Sequence, residues 1–214
     1  LKDVDMYLQY NKIENLRLSV ACLNGVVIQP NETFSLWKLV GKPTKQKGYK
    51  EGMTLVQGKV QTGIGGGLCQ LGNLIHWLTL HTPLTVTERY RHGFDVFPDS
   101  NRTIPFGSGA TLSYNYIDLQ ITNTTNQPFQ LMLWLSKELL HGAYFSNEAL
   151  TKKYQVYEKE HQFVAQPWGG CSRHNSLYRK IISLETEEEI ADELLLENHA
   201  ILMYEPFLQT GKKA

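Results

Sequence analysis

A chain of 214 residues with 42% hydrophobic and 11% aromatic content can bury a full core as one domain, or as one domain with a small appendage. Lys+Arg and Asp+Glu are both 21, a formal net charge of zero, so nothing pulls the whole molecule toward nucleic acid or anionic lipid, and no nucleic-acid partner is expected. Three cysteines without a C-x-x-C pair leave at least one thiol unpaired, which excludes a disulfide framework and suggests a reducing compartment; the expected location is cytoplasmic, at most peripheral to a membrane. Val60 to Thr87 contains no Asp, Glu, Lys or Arg. Its glycines, Gln61, Gln70, Asn73, two histidines and Pro83 interrupt it well short of the ~20 apolar residues of a spanning helix, so no transmembrane segment is expected. The chain opens at Leu1 and shows no signal peptide, and it reads as a trimmed piece whose own N-terminus lies elsewhere.

In chain order, Ile13, Leu16, Val20 and Leu23 recur at three- and four-residue steps before Asn24-Gly25, predicting an amphipathic helix over about 11–24. Val26–Ile28 follows as a short strand, Pro30–Ser35 as a turn, and Lys42–Lys50 as a polar, basic, exposed loop. Thr54–Val60 reads as a strand. The segment Gly63-Ile-Gly-Gly-Gly-Leu-Cys69-Gln70 then runs into a second helix that ends near His81-Thr82-Pro83. Beyond it the pattern turns β-like: Leu84–Arg89, the alternation of Ala110, Leu112, Tyr114 and Tyr116, and Phe129–Leu135 pairing with Leu139–Phe145 across Ser136–Glu138. The last third reads as strands joined by acidic turns. The expected fold class is α+β, with N-terminal helices on a mainly antiparallel sheet; residues 1–150 form the core domain and 151–214 a small β-rich appendage, with Trp168–Cys171 near the boundary.

Cys69 is the most informative residue. Glycines cluster where the backbone takes positive φ or approaches another group closely, and a thiol at the head of a helix faces unpaired N–H groups and the positive end of the dipole. Such thiols ionise readily and act as nucleophiles. His76, seven residues on, lies about 10 Å away along the axis at 1.5 Å per residue, and His81 fits a contact with the helix C-terminus. His92, after a strand able to run back beside the helix start, is the better general base, with Asp95 or Asp118 to orient it. Gly66, Gly67, Gln70 and Gln61 offer oxyanion donors. The plainer alternative is a buried cysteine acting as a small hydrophobe, with glycines that only allow close packing. Cys22 reads as core. The glycine run lacks the Lys-Ser/Thr of a P-loop and the third glycine of a dinucleotide fingerprint, so no cofactor is expected. Cys171-Ser-Arg-His174, with Cys69, His92 or His199, supplies half a zinc site, and metal binding is not expected. Asn31-Glu-Thr33, Asn101-Arg-Thr103 and Asn123-Thr-Thr125 match the glycosylation pattern, which has meaning only in a secreted chain.

Several of these segments in order resemble the VanW family, the accessory proteins named for vancomycin-resistance gene clusters. Asn11–Leu18 with Leu23-Asn-Gly-Val-Val-Ile-Gln-Pro-Asn-Glu-Thr-Phe-Ser35 resembles the family's leading helix and its Pro-Gly-Glu-Thr-Phe-Ser turn. Gly65-Gly-Gly-Leu-Cys69-Gln70 resembles its Gly-Gly-Gly-x-Cys-Gln, Arg89-Tyr-Arg-His92 its Arg-x-x-His, and Ser113–Leu119 the strand that follows. Asn31 replaces the turn glycine, a mild change because asparagine tolerates left-handed backbone. Gly109 stands where many relatives carry aspartate, which leaves Asp118 or a backbone carbonyl to orient a histidine. The resemblance implies a link to glycopeptide resistance and cell-wall biology. Combined with the residues, it gives two expectations. One is a cysteine-dependent hydrolase or acyl transferase acting on a peptidoglycan-related peptide, amide or ester, with Cys69 as nucleophile and His92 as base. The other is a non-catalytic module in which Trp37, Trp77, Tyr90 and Trp168 line a groove for a wall precursor or partner protein. The oligomeric state stays open.

Overall fold

The computed structural model describes residues 5–56, 58–99 and 103–205. Helix α1 (Met6–Leu23) is followed by β1 (Val26–Ile28), β2 (Thr33–Ser35) and the short α2 (Leu36–Val40). After a 3-10 turn at Lys45–Lys47 come β3 (Glu51–Val56), β4 (Lys59–Ile64) and helix α3 (Cys69–Leu80). The remaining elements among the described residues are strands: β5 (Thr85–Glu88), β6 (Phe94–Asp95), β7 (Gln120–Thr122), β8 (Phe129–Leu135), β9 (Leu140–Ser146), β10 (Lys152–Ala165), β11 (Cys171–Ser183) and β12 (Glu189–Leu202). The fold is α+β with almost entirely antiparallel pairing; the parallel step is β12 to β6.

The two long helices, α1 and α3, form where the apolar period calls for them. The buried face of α1 is Leu8, Asn15, Leu16, Ser19, Val20 and Leu23. Ile13, expected inside, is exposed, and the buried Asn15 and Ser19 are polar. The helix stops at Asn24 and at Gly25, whose φ is +84°. Leu16, Leu23, Leu71 and Ile75 from α1 and α3 share one core with Ile28, Leu131 and Leu133 of the sheet β1-β8-β9 and Ile121 of the sheet β2-β7-β5. Each of these side chains is 2% exposed or less, which by area removed from water stabilises the fold by roughly 1.5–3 kcal/mol per side chain.

Several expectations are corrected here. Thr54–Val60 is not one strand but a hairpin, because Gly58 at φ +75° turns the chain between β3 and β4. Ala110–Tyr116 is not a strand either. It makes two isolated bridges, Tyr90 to Thr111 and Ser113 to Ile117, and reverses at Asn115, φ +66°, which leaves Tyr116 85% exposed. Its alternation of apolar and polar residues therefore belongs to a loop that lies on α3. Cys22 is exposed and donates weakly to Leu18 O at 3.4 Å. Asn31 takes φ +64°, as an asparagine in a glycine position can. Asn123 is fully buried with its amide donating to Ile28 O and Gln127 O, so it is closed to glycosylation in the folded chain. Asn101 and residues 206–214 lie outside the described residues.

The segment beyond 150 is the long meander β10-β11-β12, with an acidic turn at 184–188 and a Gln166–Gly170 turn. Polar groups attach it to the rest. Arg173, 2% exposed, donates to Asp95 at 3.2 Å and Asp99 at 2.6 Å, Asn175 donates to Phe106 O, and Arg179 donates to Leu80 O and Thr82 O. His81 does not serve the end of α3 alone: its Nδ1 pairs with Tyr154 O at 2.9 Å, joining α3 to β10.

Candidate functional site

The head of α3 is built by three segments meeting at backbone contact distance. A Cβ added to Gly66 would lie 2.1 Å from the Gly52 carbonyl, and one added to Gly67, φ +93°, would lie 2.3 Å from Lys12 Cγ. No residue but glycine fits that approach. The fully buried Asn15 holds it: its Nδ2 donates to Lys50 O and Gly66 O at 3.0 and 2.9 Å, and its Oδ1 accepts from Lys50 N at 2.8 Å. One side chain thus joins α1, the start of β3 and the glycine turn. The Gly66 amide donates to Gly63 O and the Gln70 amide to Gly67 O, while the Gly67 amide has no acceptor among the described residues.

A loop over 104–112 forms the opposing wall, and side chains pin it from four directions. Arg89 donates to Gly107 O and Gly109 O, Asn73 Oδ1 accepts from Ala110 N, His76 Nδ1 donates to Ser108 O at 2.6 Å, and Asn175 holds Phe106 O. Burial pulls Arg89 down to about 10 and His76 down to about 4. At neutral pH the His76 imidazole is therefore neutral, with its second nitrogen buried and unpartnered. A Cβ on Gly109 would meet Asn73 Oδ1 at 2.6 Å, so here the missing aspartate is matched by an asparagine packed where a side chain would stand.

Between these walls lies a cleft of about 1350 Å³, roofed by the hairpin β3–β4, whose Gly58 leans on Phe94. Cys69, Gly66, Gly67, Gln70, Trp37, Trp77, Tyr90 and His92 all line it. Trp168, expected with them, stands 76% exposed at the turn between β10 and β11, outside the lining. Gln61 is also outside it, on the exposed side of β4. The Cys69 thiol donates to Leu112 O at 3.8 Å, and burial pushes its pKa up rather than down. His92 anchors through its backbone N–H to Thr111 Oγ1, and burial, then the neighbouring Arg91, lowers its pKa. The fold brings the thiol and the imidazole to one cleft without a hydrogen bond between them.

The two carboxylates considered as orienting groups are engaged elsewhere. Asp118 accepts from Ser35 Oγ at 2.5 Å and from the amides of Trp37 and Leu119, capping α2. Asp95 accepts from Arg173 and from Tyr204 OH. Among the described residues no group of three or more His, Cys, Asp or Glu is placed to hold a metal ion; His174 pairs with His199 and Ser172. Asn15, Asn73 and Asn175, which build the walls, were missed in the sequence. The available signal was an asparagine set on the buried face of a helix, as at Asn15 among Leu8, Leu16 and Val20.

Helices laid on small antiparallel sheets, with a glycine turn pressed against the first helix and a wide cleft at the head of the next, define an α+β protein built around that cleft. The model of the family described as "VanW like protein" matches residues 11–145, and the chain belongs to the VanW family. It is 38% identical over 200 residues to the "Vancomycin B-type resistance protein VanW" of Enterococcus faecalis, covering 94% of this chain and 72% of that protein. It is 33% identical over 121 residues to the "Uncharacterized protein YoaR" of Bacillus subtilis, covering 55% of this chain and 37% of that one. No solved structure matches it. No helix among the described residues is long and apolar enough to cross a membrane.

Proposed function

We propose that this chain is a binding module in vancomycin resistance, holding a peptidoglycan-related peptide or wall precursor in the cleft between the β3–β4 hairpin and the 104–117 loop. The observation that carries this reading is the state of Cys69 within that cleft: its thiol donates to a carbonyl and is disfavoured as thiolate, the reverse of an activated nucleophile. The width of the cleft and its aromatic lining by Trp37, Trp77 and Tyr90 support it. The name of the enterococcal relative supports the resistance context.

The cysteine-hydrolase reading rests on Cys69 and His92 facing the same cleft, where substrate entry would have to bring them together. One experiment separates the two. Soluble muropeptides are titrated while the indole N–H resonances of Trp37 and Trp77 are followed, with Trp134 and Trp168 as references outside the cleft. The binding reading expects the first pair to shift, no cleaved product, and a Kd changed less than about twofold by Cys69→Ser. Product that disappears in Cys69→Ser and His92→Ala would replace it with the enzyme; cleft indoles that stay fixed at saturating muropeptide would end it.

A further inference from the structure

The chain as a whole is electrically balanced, but its cleft is not. Among the described residues that line it, the cations are Lys12, Lys42 and Arg91 and the carboxylate is Asp95, which is held by Arg173 and Tyr204. Lys12 is half-buried with its stem against Gly67, and its ammonium has no hydrogen bond or ion pair among the described residues. Burial lowers its pKa and no carboxylate acts to restore it. A cation partly withdrawn from water without a partner is unfavourable unless an anion arrives to neutralise it. On the other side of the glycine turn, Pro43 packs against Gly65 and places Lys42 at the same mouth. Across the cleft the Arg91 guanidinium lies 3.9 Å over the Phe106 ring. Met53, Leu55, Ile64 and Phe94 make the roof and far wall apolar.

We propose that the cleft takes a ligand with an apolar body and an anionic group, a carboxylate or a phosphate, the anion seated between Lys12, Lys42 and Arg91 and the body under the β3–β4 hairpin. This rests on the reading of the cleft as a binding site and names the chemistry that site selects. Charge-assisted hydrogen bonds from ammonium and guanidinium groups to oxyanions are about twice as strong as neutral ones, so the anion dominates selection between otherwise equal ligands.

The test uses three probes of similar body and different head, phenylbutyrate, phenyl phosphate and phenylbutyramide, each titrated into the chain with the Trp37 and Trp77 indoles as reporters. The acids are expected to bind at least about tenfold tighter than the amide, and Lys12→Gln to weaken the acids about tenfold while leaving the amide within about twofold. Lys42→Gln, at the more exposed position, is expected to cost the acids about threefold. Unchanged Trp134 and Trp168 resonances check that the variants are folded. Tighter binding of phenyl phosphate than of phenylbutyrate supports the inference with a phosphoryl group as the anion, and the opposite order supports it with a carboxylate. An amide that binds as well as the acids, or acids indifferent to Lys12→Gln, overturns the inference while leaving the cleft a binding site. Muropeptides that shift the indoles while none of the three probes does also overturn it. Indoles that respond to nothing overturn this inference and the binding reading together.

Discussion

The head of α3 and the meander β10-β11-β12 are stabilised in opposite ways. At the head of α3, backbones of Gly52 and Gly66 touch and a single buried amide, Asn15, satisfies three backbone groups of two segments. In the meander, strands of 13 and 14 residues pair along their length, β10 is largely open to water, and attachment to the rest runs through the short β12–β6 pairing, the His81 to Tyr154 contact and the side chains of Arg173, Asn175 and Arg179. The first region has no room to adjust, and the second has few contacts that cannot be shifted. A cleft whose walls must keep a fixed shape is built from the first kind of contact, because backbone touching backbone cannot relax by changing rotamer.

The sharpest way to break that contrast is Gly66→Val, which puts a branched side chain into the Gly52 carbonyl and is expected to destabilise by about 5 kcal/mol, read as loss of the cooperative thermal transition. A fall of under about 1 kcal/mol would show that the glycine turn is free to move. In the other region Arg173→Leu leaves the buried Asp95 without its counter-charge and with the Tyr204 hydroxyl as its remaining donor side chain among the described residues, and about 3–4 kcal/mol should be lost in denaturant melts. Equal stability of that variant would mean that the meander docks without its ion pairs.

Acid should loosen the cleft wall through His76. His76 is neutral and buried, with its pKa at about 4 against an ordinary 6.5, so its contribution is complete above 6.5 and is lost as pH falls from 6.5 toward 4. About 3 kcal/mol goes in that window, and His76→Leu should flatten the stability-versus-pH curve there. Asn15→Ala is expected to cost about 2 kcal/mol and to weaken ligand binding in the cleft, since it releases both Lys50 and Gly66. Smallest of all, Trp168→Ser at the exposed turn should change stability by under about 0.5 kcal/mol and leave ligand binding untouched. A measurable loss of binding there would extend the site onto the meander.

Legibility in the sequence followed the range of the interactions. The two long helices and the pairing of Phe129–Leu135 with the following strand were readable, because each depends on residues close in sequence, and Val26–Ile28 was readable from its β-branched residues although its partner strand is β8. The segment 110–116 misled because alternation is also satisfied by a loop whose apolar side chains pack on a helix: Gly72 against Leu112 stands in for a neighbouring strand. Cys22 misled because helical position alone does not say which face is covered. At the site, Cys69, His92 and the glycines were legible as a group, and they do share a cleft. Their ionisation states were not, since a dipole at a helix head and burial against Leu112 act on a thiol in opposite directions.

From the residues alone came the α+β class, the family resemblance and the glycine turn leading into α3, all of which are written in local spacing and in short motifs. The tertiary structure alone decided that Asp118 caps α2, that Arg89 and His76 hold a loop, and that two lysines flank the turn at the cleft mouth. These depend on which distant segments meet and on how much water remains around them. Desolvation and partnering are properties of the assembled environment, and one-dimensional order does not encode them residue by residue.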